Sequence, residues 1–424
     1  MPRIKLDARA LQHRWVPQVS RLRPGLPRIL PALTLAVPAT LAVLATLGLT
    51  GCRPHDFPQY PPNYREYAYI PNGGSATVTI LDVVNVRIDR ELPVGQNPVA
   101  VAASPTRNEV YVVNSGPPGG SGSVSVIDAE RNMVVASIPV GRHPVSIDVD
   151  PAGKLAYVAD SASNAVSVID LRARSEIARI GTGEEPVAAE LAPDGKTLVV
   201  ANRRGDSVTL IDPARGYLRS VFAGCPGAED PVILPDSSKA FVACSAGHQV
   251  MAIALARPEN RSSSPGWEPD RPSSDHLEAL MDVGRAPVDL ALKPDGGEIF
   301  VSNSLSDSVS EIYNTTDEVG DTYLIGDDPV RGLVSRDNAL LYVANLHSQY
   351  LNIYSIDDGK LLGWVHVGDG PSAMAFSAAG HLLFVVDSRS GDVAVVRTAS
   401  ESLFTMLPAG RDPNAIVVKA FKMP

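Results

Sequence analysis

Several residue types and motifs are scarce or missing in this 424-residue chain. Aromatic residues make up only 5% of it, so a buried core must be built mainly from Val, Ile, Leu and Ala. Neither a His-Glu-x-x-His nor a Gly-x-Ser-x-Gly motif is present, which removes two common hydrolase signatures. The absence of Cys-x-x-Cys-His gives no indication of covalently attached c-type haem.

Charge is missing from one long stretch, Ile29 to Thr50, which follows a strongly basic segment. This apolar run ends on Leu49-Thr50-Gly51-Cys52. A basic segment, an apolar segment and a small-residue junction predict an export signal over residues 1–51. The junction resembles a bacterial lipobox, which implies that Cys52 is diacylated, starts the mature protein and anchors it to a membrane. An uncleaved membrane helix is the alternative, since the run is just long enough to span.

The residues that follow the signal predict where the protein goes. Arg53 comes directly after the lipidated cysteine, and in bacteria that resemble the enteric model this implies the outer membrane. We therefore expect an exported lipoprotein on the periplasmic side of that membrane or on the cell surface. Residues 52–63 are rich in Pro and are predicted to form a stiff tether.

The charge of the mature part restricts its partners. Without the seven basic residues and one acid of residues 1–51, 30 Lys and Arg remain against 46 Asp and Glu, a net charge of −16. An acidic body is a poor partner for nucleic acid or anionic lipid. No nucleic acid partner is expected, and the membrane contact must come from the acyl anchor.

One short strand pattern recurs eight times after the tether. Seven copies end on Asn or Asp and the fifth ends on Cys, and most successive ends are 42 residues apart. The final residues are Asn72, Asn114, Asp160, Asn202, Cys244, Asn303, Asn345 and Asp387. A period near 42 built from short β runs is typical of propeller blades. The fold class predicted is therefore all-β, with four-stranded antiparallel blades.

The two chain ends are predicted to share one blade. Tyr64 to Leu92 supplies three strands and Pro413 to Phe421 supplies a fourth, so seven complete repeats and one shared repeat make eight blades. Seven blades are the alternative. Pairing both ends in one sheet closes the ring and hides the edges that an open array would expose. Residues 64–424 are thus expected to form a single propeller domain.

The repeats resemble the YVTN-repeat β-propellers, which include YncE-like periplasmic proteins. The resemblance rests on the Tyr-Val-x-Asn strand ends, on Pro-Asp-Gly turns such as 193–195, and on Val-x-Val-Ile-Asp strands such as 124–128. It covers residues 64–424 and implies an exported propeller, while the activity stays open because distant relatives include haem d1 domains and lactonases. The fourth complete repeat departs from the pattern, with Cys244 and an insertion at 257–275 that contains Trp267.

One face of the ring is predicted to carry the candidate ligand-binding residues. Because antiparallel strands alternate in direction, the Gly-x-x-Pro turns that open each repeat and the loops after each second strand meet on this face, which we call the opening-turn face. A solvated loop face without a ligand is the alternative. The candidates are Arg142, His143, Arg203, Arg204, Arg285, His347, Arg389 and Arg411.

The repeated Asn and Asp residues are interpreted as structural. Their side chains can accept hydrogen bonds from backbone N–H groups and so fix the turn out of the strand. A feature found in nearly every repeat indicates architecture, whereas chemistry is usually local. The predicted turn-fixing ring is Asn72, Asn114, Asp160, Asn202, Asn303, Asn345 and Asp387.

The two remaining cysteines are the exceptional feature of the fourth repeat. Cys225 lies in its opening turn and Cys244 ends its second strand, so both fall on one face of neighbouring strands. In an oxidising compartment a disulfide is the favoured interpretation. The alternative is a metal or redox pair with His248, for which the spacing gives little support.

The sequence leaves two classes of function open. The first is a binding or scaffold propeller that takes an envelope protein or small ligand, with no residue assigned a catalytic or metal-binding role and no cofactor predicted. The second, implied by the resemblance, is an enzyme or cofactor carrier related to haem d1 domains or lactonases, with His143 and His347 as candidates. DNA binding, which YncE-like members would allow, is disfavoured by the net charge.

Overall fold

The computed structural model describes residues 58–256 and 274–423 of the chain. Within these ranges the chain forms 32 β-strands, arranged as eight four-stranded antiparallel sheets in a ring. The predicted eight-bladed propeller is therefore confirmed. Strands are numbered in chain order, and blade 1 is the sheet that contains both chain ends.

Blades 1 to 4 contain the first fifteen strands and the last one. Blade 1 consists of β32 (Val417–Lys422), β1 (Tyr64–Asn72), β2 (Thr77–Asp82) and β3 (Arg87–Pro93). Blade 2 consists of β4 (Pro98–Ala103), β5 (Glu109–Asn114), β6 (Ser121–Asp128) and β7 (Met133–Arg142). Blade 3 consists of β8 (Pro144–Val149), β9 (Leu155–Asp160), β10 (Ala165–Asp170) and β11 (Ser175–Gly181). Blade 4 consists of β12 (Pro186–Leu191), β13 (Leu198–Asn202), β14 (Ser207–Asp212) and β15 (Tyr217–Ala223).

Blades 5 to 8 complete the ring. Blade 5 consists of β16 (Ala228–Ile233), β17 (Lys239–Cys244), β18 (Gln249–Ala254) and β19 (His276–Asp282). Blade 6 consists of β20 (Pro287–Leu292), β21 (Glu298–Asn303), β22 (Ser308–Tyr313) and β23 (Glu318–Leu324). Blade 7 consists of β24 (Pro329–Val334), β25 (Leu340–Asn345), β26 (Tyr350–Ser355) and β27 (Lys360–His366). Blade 8 consists of β28 (Pro371–Phe376), β29 (Leu382–Asp387), β30 (Asp392–Arg397) and β31 (Ser402–Pro408).

The burial of each strand follows its position in the blade. Second strands such as β9 (sequence LAYVAD) are buried on both faces because neighbouring blades cover both sides of each sheet. Fourth strands such as β11 alternate and face solvent on the outer rim. Tyr111 and Ile138 of blade 2 pack with Val158 and Ile169 of blade 3 in one such interblade core. Aliphatic side chains thus supply most of the core, as the low aromatic content requires.

The ring is closed by the strand nearest the C-terminus. β32 pairs with β1 in antiparallel register, from Tyr64 opposite Lys422 to Tyr69 opposite Val417. The Phe421 ring lies 6.3 Å from that of Tyr67, and Phe421 is buried. Blade 1 therefore depends on residues more than 300 positions apart in sequence.

The N-terminal approach to blade 1 is itself in contact with the ring. Tyr60, which the sequence placed in the tether, stacks on Tyr64 with ring centroids 4.7 Å apart. Its hydroxyl lies 3.2 Å from Nε2 of His381 in blade 8. The end of the predicted tether is thus held against the propeller. The predicted signal and Cys52 lie outside the described residues, and no helix of the described part is long and apolar enough to cross a membrane.

The insertion of blade 5 lies between β18 and β19, and residues 257–273, with Trp267, fall outside the described ranges. Its two ends meet at Asp275, which accepts hydrogen bonds from Arg219 (2.7 Å to both Nε and Nη2) and from the Ala256 N–H (2.8 Å). The Asp275 side chain is only 2% exposed. The buried, bidentate ion pair between Arg219 and Asp275 thus joins the end of the insertion to blade 4. It holds β19 in register with β18.

Candidate functional site

The strand register builds the opening-turn face. In blades 2 to 8 the first residue of the first strand lies opposite the last residue of the second strand, as with Pro144 and Asp160 or Pro371 and Asp387. Blade 1 repeats this with an isolated bridge between Asn72 and Pro413. Seven of the eight opening turns therefore lie beside one member of the Asn and Asp ring, and that of blade 5 lies beside Cys244.

The ring residues are buried, and none of the seven is more than 1% exposed. In four of the five blades with Asn, its Nδ2 donates to hydroxyls on the third strand, as from Asn202 to Thr209 (2.9 Å) and from Asn303 to Ser310 (3.0 Å). The sequence had predicted acceptance from backbone N–H groups. Asp387 accepts one from Gly368 (3.0 Å), whereas Oδ1 of the five asparagines has no hydrogen-bond partner. The asparagines thus tie second strands to third strands, and Asp387 bonds to its turn.

Two ring members are carboxylic acids in this buried setting. Asp160 receives a hydrogen bond from Ser167 on the third strand, and burial raises the pKa of Asp160 to about 6. At the corresponding position of blade 8 the third strand offers only Ala394. Burial, reinforced by the neighbouring carboxyl group of Asp392, raises the pKa of Asp387 to about 8. Asp387 is therefore largely protonated at neutral pH.

The cysteine exception of blade 5 is a disulfide in the structure. Cys225 and Cys244 are joined by an S–S bond of 2.05 Å, and both residues are fully buried. His248, the third member of the alternative metal set, contacts the Ser245 carbonyl instead (3.2 Å from Nδ1). Blade 5 thus replaces the usual Asn-to-hydroxyl bond with a covalent link between its opening turn and its second strand.

Removing this link is expected to lower the free energy of unfolding. The disulfide spans 19 positions, and closing a loop of that length stabilises by about 3 kcal/mol in the chain-entropy model. We expect the Cys225→Ala/Cys244→Ala protein to lose about 2–3 kcal/mol in urea unfolding followed by circular dichroism. A reductant should shift the wild-type midpoint and leave that of the double variant unchanged. Equal midpoints for the two oxidised proteins would contradict the prediction.

Five of the eight candidate ligand residues line two cavities on the opening-turn face. Arg389 of blade 8 and Arg411 of blade 1 line a cavity of about 480 Å³ together with three serines, Ser75, Ser388 and Ser390, and two acids, Glu91 and Asp412. We call it the seam cavity, because it lies where the ring closes. Arg142, His143 and Arg204 line a second cavity of about 460 Å³, which spans blades 2 to 4.

The remaining candidates line neither cavity. Arg203 pairs with Glu229 (2.9 Å), and Arg285 donates to the Leu305 carbonyl (2.6 Å). His347 pairs with Asp328 (2.7 Å). These side chains are engaged in joining neighbouring loops, so the candidate residues do not converge on a single site.

The two histidines proposed for a haem-like cofactor are far apart in the ring. His143 belongs to blade 3 and contacts the Ser161 hydroxyl (2.8 Å), whereas His347 belongs to blade 7, halfway around. They therefore do not form one axial ligand pair. In residues 58–256 and 274–423, no three His, Cys, Asp or Glu side chains are grouped to hold a metal ion.

A cluster in the central channel was missed by the sequence. The first strands of successive blades contact one another around the axis, and four of their acids, Asp148, Glu190, Asp230 and Asp289, form this cluster. Three of them accept a backbone N–H from the next first strand. These bonds run from Leu191 to Asp148 (2.7 Å), from Leu290 to Asp230 (2.7 Å) and from Gly332 to Asp289 (2.6 Å). The channel acids thus link blades in sequence around the ring.

The channel shifts the titration of these acids. Burial raises the pKa of Asp230 to about 7, with Asp289 as the next cause, and it also raises the pKa of Glu190 well above its usual value. Arg331 lies 2.7 Å from the Asp289 carboxylate and counteracts this effect there. The Asp230 side chain is 28% exposed, but the exposed part faces the channel, whose walls separate the side chain from bulk solvent. The channel therefore favours the protonated forms of these acids.

One sequence signal could have revealed this cluster. Asp148 and Glu190 each come four residues after the Pro that starts their strand, where other blades have Ala102 or Ala291. A charge at an otherwise apolar position of a buried strand is the pattern to look for. The sequence did not show that acids of different repeats meet in the channel, because this contact depends on ring closure.

Comparisons with known proteins agree with this architecture. Residues 152–257, from blade 3 to the end of β18 in blade 5, match the family model described as YNCE-like beta-propeller. No curated protein matches the sequence.

Several solved structures share the fold. Hydrazine synthase of Kuenenia stuttgartiensis superposes with a TM-score of 0.53 at 23% identity, covering 78% of this chain and 92% of that one. The dihydro-heme d1 dehydrogenase NirN superposes with a TM-score of 0.67 at 17% identity, covering 85% of this chain and 76% of that one. AztD of Citrobacter koseri superposes with a TM-score of 0.62 at 13% identity, covering 85% of this chain and 99% of that one. At such identities the likeness concerns the fold and carries no activity. The chain is thus an eight-bladed β-propeller in which residues 152–257 match the YNCE-like β-propeller family.

Proposed function

We propose that the protein is an exported, lipid-anchored propeller that binds a protein of the cell envelope on its opening-turn face. The observation that carries the proposal is the seam cavity, where Arg389 and Arg411 from different blades flank one depression of about 480 Å³. Arg389 lies 4.0 Å from Asp369, and Arg411 forms no ion pair within the described ranges. Two exposed guanidinium groups suit a carboxylate on a partner, since arginine binds carboxylates in a bidentate manner.

The predicted anchor supports the same proposal. Cys52 would hold the ring at a membrane through two acyl chains, which bind far more firmly than one. With a net charge of −16 after removal of residues 1–51, the ring itself gains little from an anionic surface. A rigid ring on a short tether is a suitable platform for a neighbouring protein, because little conformational entropy is lost when it binds.

Charge reversal at the seam tests the proposal. We expect Arg389→Glu/Arg411→Glu to abolish a specific crosslinked partner of the anchored protein in its native envelope, or to lower its recovery at least tenfold. The matched control is Arg172→Glu/Arg215→Glu, which reverses two exposed arginines on the opposite face and should leave recovery unchanged. Cys52→Ser should move the protein from the membrane fraction to the soluble fraction. Equal recovery with both double variants would contradict the assigned face.

A further inference from the structure

An aromatic cavity lies on the outer part of the opening-turn face in blade 7. It has a volume of about 430 Å³ and differs from the other two cavities of this face in its exposed rings. Trp364 is 65% exposed and Tyr350 is 42% exposed. The lining residues are Gly326, Asp327, Asn345, Ser348, Tyr350, Asn352 and Trp364.

The strand register places the aromatic and amide groups on one surface. Asn352 lies opposite Trp364, and Tyr350 lies opposite His366, on β26 and β27. Residues two apart on a strand share a face, so all four side chains point to the same side of the sheet. Tyr350 and Trp364 are diagonal neighbours, whose Cα atoms are typically about 7–8 Å apart. His366 meets the Tyr350 ring edge-on at 5.3 Å and so supports its orientation.

The opening turn of blade 7 has a backbone conformation that the other Gly-x-x-Pro turns lack. Gly326 has a φ of +148°, a conformation that favours glycine and that the corresponding Gly95, Gly141 and Gly284 do not adopt. A Cβ built on those three glycines would lie 2.5–2.6 Å from the neighbouring Asn or Asp, whereas on Gly326 it would lie 3.4 Å from Asn345. Gly326 and Asn345 both line the cavity.

The amide of Asn345 is correspondingly less well satisfied. It is 1% exposed and lines the cavity, yet its Nδ2 makes only long contacts of 3.4–3.5 Å. Its Oδ1 has no hydrogen-bond partner, which is also true of the other four ring asparagines, so the long Nδ2 contacts are what distinguish Asn345. In blades 1 and 4 the corresponding Nδ2 atoms reach a threonine hydroxyl at 2.9 Å. Asn345 is therefore a buried polar group with bonding capacity left on the side of the cavity.

We propose that this cavity, which we name the blade 7 aromatic site, binds a carbohydrate. The inference rests on the proposed binding role of the face and specifies a ligand class for one part of it. Pyranose rings present an apolar C–H surface that packs on aromatic faces, and their hydroxyl groups both donate and accept. Trp364 and Tyr350 supply the faces, while Asp327 and the Oδ1 of Asn345 supply acceptors.

The lining favours a sugar over an apolar peptide. Four of the seven lining residues carry hydrogen-bonding side chains of short reach, and none is aliphatic. A hydrophobic peptide side chain would leave the Asp327 carboxylate and the buried Oδ1 of Asn345 without partners, which is costly once water is removed. Sugar hydroxyls satisfy donors and acceptors alike.

Titration with defined oligosaccharides tests the assignment. The full-length protein is titrated by calorimetry with the tetrasaccharides of β-glucose, α-glucose and N-acetylglucosamine, and contacts are mapped by saturation-transfer NMR. We expect saturable binding of at least one, with the strongest transfer at ring C–H protons. Trp364→Ala should weaken binding at least tenfold, while Trp364→Phe should keep most of it.

Blade 8 offers a matched control. Met406 on β31 lies opposite Ala394 on β30, just as Trp364 on β27 lies opposite Asn352 on β26. The Met406 side chain is also partly exposed, at 37%. Met406→Ala should leave binding unchanged. Failure of all three saccharides to bind, or equal loss in Met406→Ala and Trp364→Ala, would overturn the proposal, as would binding of a Leu-rich peptide alone. Arg389→Glu/Arg411→Glu should retain saccharide binding, which separates this outcome from that of the envelope-protein proposal.

Discussion

Deleting residues 417–424 is expected to abolish cooperative folding of the propeller. The deletion removes β32, and with it the antiparallel pairing that closes blade 1 and the ring. Buried Phe421 and partly buried Val417 and Val418 leave the apolar clusters of blade 1. At about 1.5–3 kcal/mol for each fully buried apolar side chain, the loss is on the order of 5 kcal/mol. That is comparable with the whole stability of a typical protein, about 5–15 kcal/mol.

The edge that the deletion exposes adds to this loss. β1 is buried between β2 and β32, and without β32 its backbone N–H and C=O groups line the channel unpaired. We expect a broad, non-cooperative thermal transition in circular dichroism and a tendency to aggregate. Adding the peptide 415–424 in trans should restore part of the cooperative transition, because the missing strand would pair again.

A second deletion separates ring closure from chain length. Replacing residues 257–273 with Gly-Gly-Ser removes more residues but leaves all 32 described strands in place, as well as the hydrogen bond between Ala256 and Asp275. This variant should keep a cooperative transition within a few degrees of the wild type. A truncated protein lacking β32 that still unfolds cooperatively at the wild-type temperature would show that closure is not required.

Replacing Asp387 with Asn is expected to stabilise the protein increasingly as the pH rises. The folded-state pKa of Asp387 is raised to about 8, against an unfolded value near 4. Between about pH 4 and pH 8 the folded protein therefore binds one proton more than the unfolded chain. The stability that this proton provides is lost progressively over this range and is gone once the pH has risen through 8. At 1.36 kcal/mol per pH unit, the wild type should lose about 3–4 kcal/mol relative to Asp387→Asn between pH 5 and pH 8.

Asn suits this position for a local reason. Its Oδ1 can accept the Gly368 N–H as Asp387 does, and its Nδ2 can donate to the nearby Asp392 carboxylate. Five of the seven ring members are already Asn. The substitution thus removes the need for a proton without removing the bond to the turn.

Asp160→Asn is the matched control for this pH dependence. The pKa of Asp160 is raised only to about 6, partly because Ser167 donates to its carboxylate. The gain in the free energy of unfolding from Asp160→Asn should be smaller and complete near pH 6, whereas the gain from Asp387→Asn continues to grow up to about pH 8. Chemical unfolding at pH 5, 6, 7 and 8 distinguishes the two. Parallel pH profiles for wild type and Asp387→Asn would show that Asp387 titrates normally.

Much of the fold was predictable because it is encoded locally and repeatedly. The Tyr-Val-x-Asn strand end marks each second strand, and its period of about 42 sets the number of blades. Strand alternation then places Pro144 beside Asp160 and predicts one shared loop face. The Cys225–Cys244 pair followed from the same register, since an opening turn and a second-strand end are neighbours in every blade.

The candidate site was predictable only in part. Arg389 and Arg411 were expected on the same face, yet their shared cavity exists only where the last repeat meets the first. Arg203, Arg285 and His347 were predicted on the same face, and they contact neighbouring loops and line neither of the two cavities. Side-chain partners across blades depend on relative blade positions, which a repeat pattern does not specify.

The sequence by itself predicted the eight blades, the structural ring of Asn and Asp and the disulfide, because each depends on spacing within a repeat. Tertiary structure alone decided what lies between repeats. It brings Asp230, Asp289 and Arg331 of three blades together in the channel, and it joins Arg389 and Arg411 of blades 8 and 1 in the seam cavity. The physical reason is that strand pairing is set by local hydrogen bonds of fixed period, whereas contacts across the channel and between blades are set by how the closed ring packs.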